Sequence, residues 1–262
     1  MCRNCARLAF TIILTLAAAA ANAATCSAES GARRVALLEL YTSEGCDNCP
    51  PADRWASALP DRGLTVEQVV TLGFHVDYWN YLGWSDSYAK AQYSARQRGA
   101  NQRNQSRVVY TPQMLLNGRD YRRSAFVDDI AGRVSALARD TPKARISLRA
   151  ATEPSGMLSV NGAAVIADAA ERSDARVYLA LYENNLVSQV TAGENKGKQL
   201  RHDFVVRELA GPYATDNRGS AALGHRFRID PGWKPGDLHV AAFVQNERSG
   251  DVLQALALAV CR

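Results

Sequence analysis

The chain has 262 residues, is 47% hydrophobic and carries a formal charge of +5. That length leaves room for one large domain or two ordinary ones, and the composition is that of a globular protein. So mild a charge gives no ground for nucleic acid or an anionic membrane as partner.

The first 23 residues read as a signal peptide rather than as fold. Arg3 and Arg7 form a basic start, Leu8 to Ala21 is apolar, and Ala21-Asn22-Ala23 is a cleavage site. The apolar run is short for a membrane-spanning helix. Cleavage after Ala23 yields a periplasmic or secreted protein and lowers the formal charge to +3. It also removes Cys2 and Cys5, leaving Cys26, Cys46, Cys49 and Cys261. An even count in an exported chain favours disulfides. Cys46 and Cys49 are close in sequence and expected to pair, which leaves Cys26–Cys261 as a structural bridge between the ends of the mature chain.

Val35 to Tyr41 is an apolar run expected to form a buried strand. A polar turn with Gly45 follows, then Cys46-Asp47-Asn48-Cys49. Pro50 and Pro51 open a helix over Ala52 to Leu59, with Trp55, Ala56 and Leu59 on one face. This layout puts a thiol at a helix N-terminus, where the dipole and free N–H groups favour a thiolate. Cys46 is expected to be the accessible nucleophile and Cys49 the buried resolving thiol. Asp47 opposes a thiolate at Cys46, while Asn48 can donate to it.

Val69 to Val76 is expected to form a second strand, ending near His75 and Asp77. An aromatic tract follows, with Tyr78, Trp79, Tyr81 and Trp84. Tyr78 and Trp79 are candidate walls of a substrate groove, or part of a satellite core. Ser85 or Asp86 is expected to cap a polar helix reaching about Asn101. Arg107 to Tyr110 begins a third strand that passes Thr111-Pro112 and continues to Leu116. Asn117-Gly118 is a hairpin signal before a short fourth strand. Ser124 is expected to cap a last helix carrying Phe126, Ile130, Val134 and Leu137. Asp140 to Lys143 reads as a linker. Beyond it, short alternating runs punctuated by Asn161-Gly162, Pro231-Gly232 and Pro235-Gly236 point to an all-β sandwich.

The element order and the motif Tyr41-Thr42-Ser43-Glu44-Gly45-Cys46-Asp47-Asn48-Cys49-Pro50-Pro51-Ala52-Asp53 resemble the thioredoxin-like superfamily. Within it, the wording is similar to an exported bacterial family of unassigned function. The resemblance implies an α/β thioredoxin-like domain over residues 24–140, with an insertion at 78–106, followed by an all-β sandwich-like domain over 144–262. It implies a cis-proline facing the dithiol, at Pro112, with Thr111 beside it in the substrate groove. It also implies a buried acid that moves protons, which Glu39 matches; an edge-facing glutamate in a salt bridge is the other reading. The stretch around Glu194 to Lys198 and Arg201-His202-Asp203 is similar to one in the same family. That implies a role near the first domain, although a solvated hairpin accounts for it equally well.

The expected function is thiol–disulfide exchange with an exported protein or small thiol and a redox partner, with no cofactor. Two alternatives remain at this point. One is a copper carrier using Cys46, Cys49 and His75. The other is a non-catalytic scaffold stapled by Cys46–Cys49.

Overall fold

The computed structural model describes residues 24–122 and 128–261. The expected signal peptide, residues 1–23, and the expected helix cap at Ser124 with Phe126 lie outside the described residues. The described residues form fourteen strands and three α-helices. In chain order the first are β1 (Thr25–Glu29), β2 (Ala36–Thr42), α1 (Pro50–Ser57), β3 (Val69–His75), α2 (Ala91–Arg103), β4 (Gln113–Leu116), β5 (Arg119–Asp120) and α3 (Ile130–Leu137). Strands follow almost without interruption: β6 (Ala144–Thr152), β7 (Met157–Ile166), β8 (Ala175–Glu183), β9 (Leu186–Gln189) and β10 (Gln199–His202). The last four are β11 (Val205–Ala214), β12 (Ser220–Arg228), β13 (Leu238–Asn246) and β14 (Val252–Ala259).

This architecture corrects the expected α/β thioredoxin-like domain followed by a sandwich. The fold is β-rich, and its main sheet has eight strands in the order β14-β13-β8-β11-β3-β2-β4-β5. Strands from both sides of the expected linker are hydrogen-bonded into that one sheet. The junction is short: β11 meets β3 in parallel at Val205 and Gly73, and the Gly73 N–H donates to the Phe204 carbonyl at 2.7 Å.

Both faces of the long sheet are covered. A four-stranded sheet, β1-β6-β7-β12, packs on one face. Its Ile146, Leu148, Val160 and Phe227 meet Val177, Leu179 and Leu181 of β8 and Val240 and Val244 of β13. The intervening residues Ala180, Tyr182, Ala241 and Phe243 face the other way and join a second core with Leu37, Tyr41, Phe74 and Tyr93. The two-residue period of a strand therefore serves two cores at once. α1 and α3 bury a third set, with Leu38, Leu40, Trp55 and Ile130.

α2 begins at Ala91, not at Ser85 or Asp86. The Asp86 carboxylate is spent elsewhere, on His75 and on the N–H groups of Glu44 and Tyr88. Arg107 to Tyr110, expected to begin the third strand, lies outside the ladders, with Val108 and Val109 exposed. Strands β1, β9 and β14 go beyond the expected set.

α2 ties the sheet together through Arg96. Its guanidinium is buried, donates to Glu39 of β2 at 2.6 Å and to Gln245 of β13 at 3.0 Å, and lies over Tyr178 and Phe243. At the chain ends, Cys26 and Cys261 are joined by a disulfide, with Cα atoms 5.7 Å apart. The two disulfides point to an oxidising, exported environment. Among the described residues no helix is long and apolar enough to cross a membrane.

Two stability measurements follow from these ties. Replacing Cys26 and Cys261 together by alanine frees a loop of 235 residues and should cost about 4–5 kcal/mol on the chain-entropy account. Arg96→Met leaves Glu39 buried without its cation and should cost about 3–5 kcal/mol. Urea unfolding of oxidised protein reads both; a change under about 1 kcal/mol in either variant would contradict its assigned tie.

Candidate functional site: a covered dithiol over a buried charged cluster

β2 and β3 are parallel neighbours, and the dithiol loop leaves the C-terminal end of β2. Cys49 is the N-cap of α1, and Pro50 and Pro51 occupy its first turn, where no helical N–H is needed. Cys46 and Cys49 are joined as a disulfide. The Cys46 N–H donates to Ser43 O and the Cys49 N–H to Cys46 O. The backbone of the loop is thus closed on itself around the sulfurs.

Across the site stands the turn that enters β4. The Thr111–Pro112 bond is cis, and the Thr111 carbonyl oxygen lies 3.9 Å from Cys46 Sγ. Trp79 holds this turn by donating its indole N–H to Thr111 Oγ1 at 2.7 Å. Tyr78 donates to Gln97 and packs against the second core, so it braces α2. Beside the turn an open cleft of about 490 Å³ is lined by Asn48, Pro51, Val108, Tyr110, Pro112 and Met114.

The expected accessible Cys46 is covered. It is 1% exposed and Cys49 is 0% exposed, whereas Asp47 and Asn48 are exposed. The cover comes from the connection between β9 and β10. Asn195 is fully buried and donates its amide to the carbonyls of Glu44 and Cys46, each at 2.8 Å. Glu194 accepts from the Asp47 N–H at 3.1 Å. On the other side Trp79 Cβ would come within 3.0 Å of a Cβ at Gly45. The resemblance at residues 194–203 was the sequence signal for this contact, but a polar stretch of that kind does not reveal which carbonyls it will reach.

Beneath the loop lies a buried cluster of three carboxyls and two imidazoles: Glu44, Asp53, Asp86, His75 and His202. His75 Nδ1 is 2.7 Å from Asp86 Oδ2. Burial would push His75 down, but the charge and hydrogen bond of Asp86 outweigh it and hold the imidazole above its usual value. Burial likewise pushes Asp86 up, and His75 with two backbone N–H groups brings it below the usual carboxylate range. Burial also opposes ionisation of Glu44, yet His202, Trp84 and Ser188 hold its carboxyl low. His202 Nε2 stands 3.3 Å from Glu44 Oε1.

Asp53 is the exception. Burial raises it, and His202, His75 and a 3.2 Å bond from Thr42 only partly compensate. Of the three carboxyls, Asp53 alone is shifted towards its protonated form, by burial. It stands on α1 one turn after Cys49, to whose carbonyl its N–H donates. Sequence reasoning passed over Asp53 because an acid in the first turn of a helix ordinarily faces solvent.

Glu39 stands elsewhere. It alternates with Leu38 and Leu40, which face α1, and so lies on the opposite face of β2. There it is paired with Arg96 and accepts from Tyr41. His75 is likewise committed to Asp86. Among the described residues no group of three or more His, Cys, Asp and Glu is arranged to hold a metal ion.

The His75–Asp86 pair has a pH signature. A histidine raised on folding contributes stability that is full below its unfolded value of about 6.5 and fades as pH rises through the higher folded value. Asp86, lowered on folding, contributes above its unfolded value of about 3.9. The stability gap between the natural chain and His75→Gln should therefore be widest between about pH 4 and 6.5 and narrow above it. Urea unfolding from pH 5 to 9 measures this, and a gap that is flat or widens with pH would contradict the pairing.

Two solved structures resemble this one. A crystal structure of a protein from Agrobacterium tumefaciens, determined by a structural genomics consortium, is 25% identical with a TM-score of 0.58 and covers 87% of this chain and 96% of its own. HBP35 of Porphyromonas gingivalis is 17% identical with a TM-score of 0.65 and covers 88% of this chain and 76% of its own, a likeness of fold alone. No protein of curated function matches the chain. Residues 37–245, which span the dithiol, its Thr111-Pro112 turn and the covering hairpin, match the family described as "Protein of unknown function (DUF1223)", and to that family the chain belongs.

Proposed function

We propose that the protein is an exported thiol–disulfide exchange protein whose working group is the Cys46–Cys49 pair. The observation that carries this reading is the placement of the pair. It sits at the N-terminus of α1, with the Thr111 carbonyl 3.9 Å from Cys46 Sγ and an open cleft alongside Pro112. A dithiol-site resemblance to thioredoxin-like proteins supports it, in the motif and in the proline-containing turn opposite.

The exchange runs in two balanced steps. In the reduced protein the Cys46 thiolate attacks one sulfur of a substrate disulfide. A Cys46–substrate bond forms, the substrate S–S bond breaks, and the departing sulfur takes a proton. The Cys49 thiolate then attacks Cys46 Sγ, closing Cys46–Cys49 and releasing the second substrate thiol. Two electrons have passed from the protein to the substrate. Run in reverse, a substrate dithiol reduces the disulfide seen here. Asp53, whose carboxyl burial raises above its ordinary value, stands one turn after Cys49 and is the acid on α1 that we assign to that proton traffic. Partners of this reading are an exported protein or a small thiol, with a second redox protein to reset the pair.

The burial of Cys46 favours a second reading, in which the disulfide is a staple and the protein a binding scaffold. One experiment separates the two. Reduced Cys49→Ser, mixed with a low-molecular-weight disulfide and then with an extract of exported proteins, should accumulate a mixed disulfide at Cys46. Cys46→Ser should form none, and the natural pair should turn over without accumulating it. Absence of any adduct in Cys49→Ser, with the Cys46–Cys49 disulfide resistant to reduction in the natural chain, would establish the staple instead.

A further inference from the structure

We infer that the loop between β9 and β10 is a strap that governs Cys46, with Asn195 and Glu194 as its positioning residues; this rests on the exchange reading above. The hairpin β9–β10 is a two-stranded sheet of its own, outside both large sheets. Its strands are held to each other by a register of only four pairs. Its connection, residues 190–198, contains Gly193 and Gly197 at positive φ, so the chain turns sharply there and drops Asn195 into the site. Asn195 is 0% exposed although it lies at the tip of a surface hairpin.

The contacts of the strap are made with the dithiol loop and not merely near it. The Asn195 amide bonds the carbonyls on both sides of Gly45-Cys46, namely those of Glu44 and Cys46. Lys198 donates to Asn195 Oδ1 at 2.8 Å, so the amide orientation is held from behind. The exposed Glu194 carboxylate takes the N–H of Asp47, the residue after Cys46. These three bonds hold the backbone on both sides of Cys46 and set the Glu194 carboxylate on the Asp47 N–H, which adds a second acid beside Asp47 to the loop whose sulfur must become a thiolate. The other charged or titratable groups around the loop are Glu44, Asp53, Asp86, His75 and His202 below it and Lys198 behind the strap.

Coverage and charge act in the same direction. With the strap closed, Cys46 is hidden and a thiolate there is opposed. With the strap released, Cys46 is uncovered and the Glu194 carboxylate withdraws. Reaction then belongs to the strap-open form, and a partner gains access by displacing bonds from Asn195 rather than by fitting a preformed mouth. The base of the hairpin stays fixed, because His202 at the end of β10 is buried against Glu44 and Asp53.

The test uses the full mature chain, reduced, with iodoacetamide as the probe and mass mapping of each cysteine. Asn195→Ala should raise the rate of Cys46 alkylation about tenfold, the scale of losing one to two net hydrogen bonds, while Cys49 stays protected. Glu194→Gln, an exposed and isosteric change, should move the pH midpoint of Cys46 alkylation down by about half a unit at low salt, and by less at high salt. Cys49 becoming reactive in step with Cys46 would mean unfolding and would overturn the strap, as would unchanged Cys46 rates in both variants. The two proposals fail differently. Faster alkylation without exchange on any disulfide leaves the strap standing and removes the exchange reading. Exchange that proceeds at the same rate in both variants removes the strap alone.

Discussion

The hydrogen bond from Gly73 to the Phe204 carbonyl, with the short parallel pairing beside it, is the junction on which this structure turns. It attaches β11, and through it β8, β13 and β14, to the strand next to the one that carries the dithiol. β11 is immediately preceded by β10, so the same junction delivers the β9–β10 hairpin to the C-terminal ends of β2 and β3. The covered state of Cys46 is therefore a consequence of sheet continuity. Asn195 can reach the Cys46 carbonyl across 149 positions of sequence because β2, which leads into the dithiol loop, and β11, which follows the hairpin, share one sheet.

The charged cluster depends on the same joint. Four of its five members come from the first half of the chain, and His202 comes from β10. Without His202, Glu44 and Asp53 would be buried acids with one imidazole between them, and that imidazole is already engaged by Asp86. Burying charge without compensation is costly, so the hairpin contributes electrostatically as well as sterically. Arg96 solves a similar problem on the other face, where Glu39 would otherwise be a lone carboxylate within an aromatic core. Both solutions use a partner from across the sheet.

Much of the local structure was legible in the chain itself. β2, α1, β3 and β4 follow from apolar runs, from prolines where a first helical turn tolerates them, and from a glycine hairpin. The alternation of β8 and β13 was visible as well. β14 was not, because Val252-Leu253-Gln254-Ala255-Leu256-Ala257-Leu258-Ala259 is rich in good helix formers. It is a strand because β13 offers it a ladder and both cores take its side chains. Tertiary context overrode propensity there, as it did where Asp86 became a partner for His75 instead of a helix cap.

What the sequence by itself determined is the chemistry of the loop. Cys46-x-x-Cys49 before a proline-opened helix places two sulfurs within bonding reach at a helix end, and the exported pattern of cysteines pairs the remaining two. These are short-range consequences of spacing and residue type. The tertiary structure alone decided three other things: that strands from both halves of the chain share the eight-stranded sheet, that Glu39 faces Arg96 while Asp53 stays by the dithiol, and that Asn195 closes over Cys46. Each depends on which edge strand meets which, and on the face of β2 a residue occupies once both faces are buried. Periodicity does not distinguish two covered faces, and hydrogen bonds between residues far apart in sequence leave no local pattern to read.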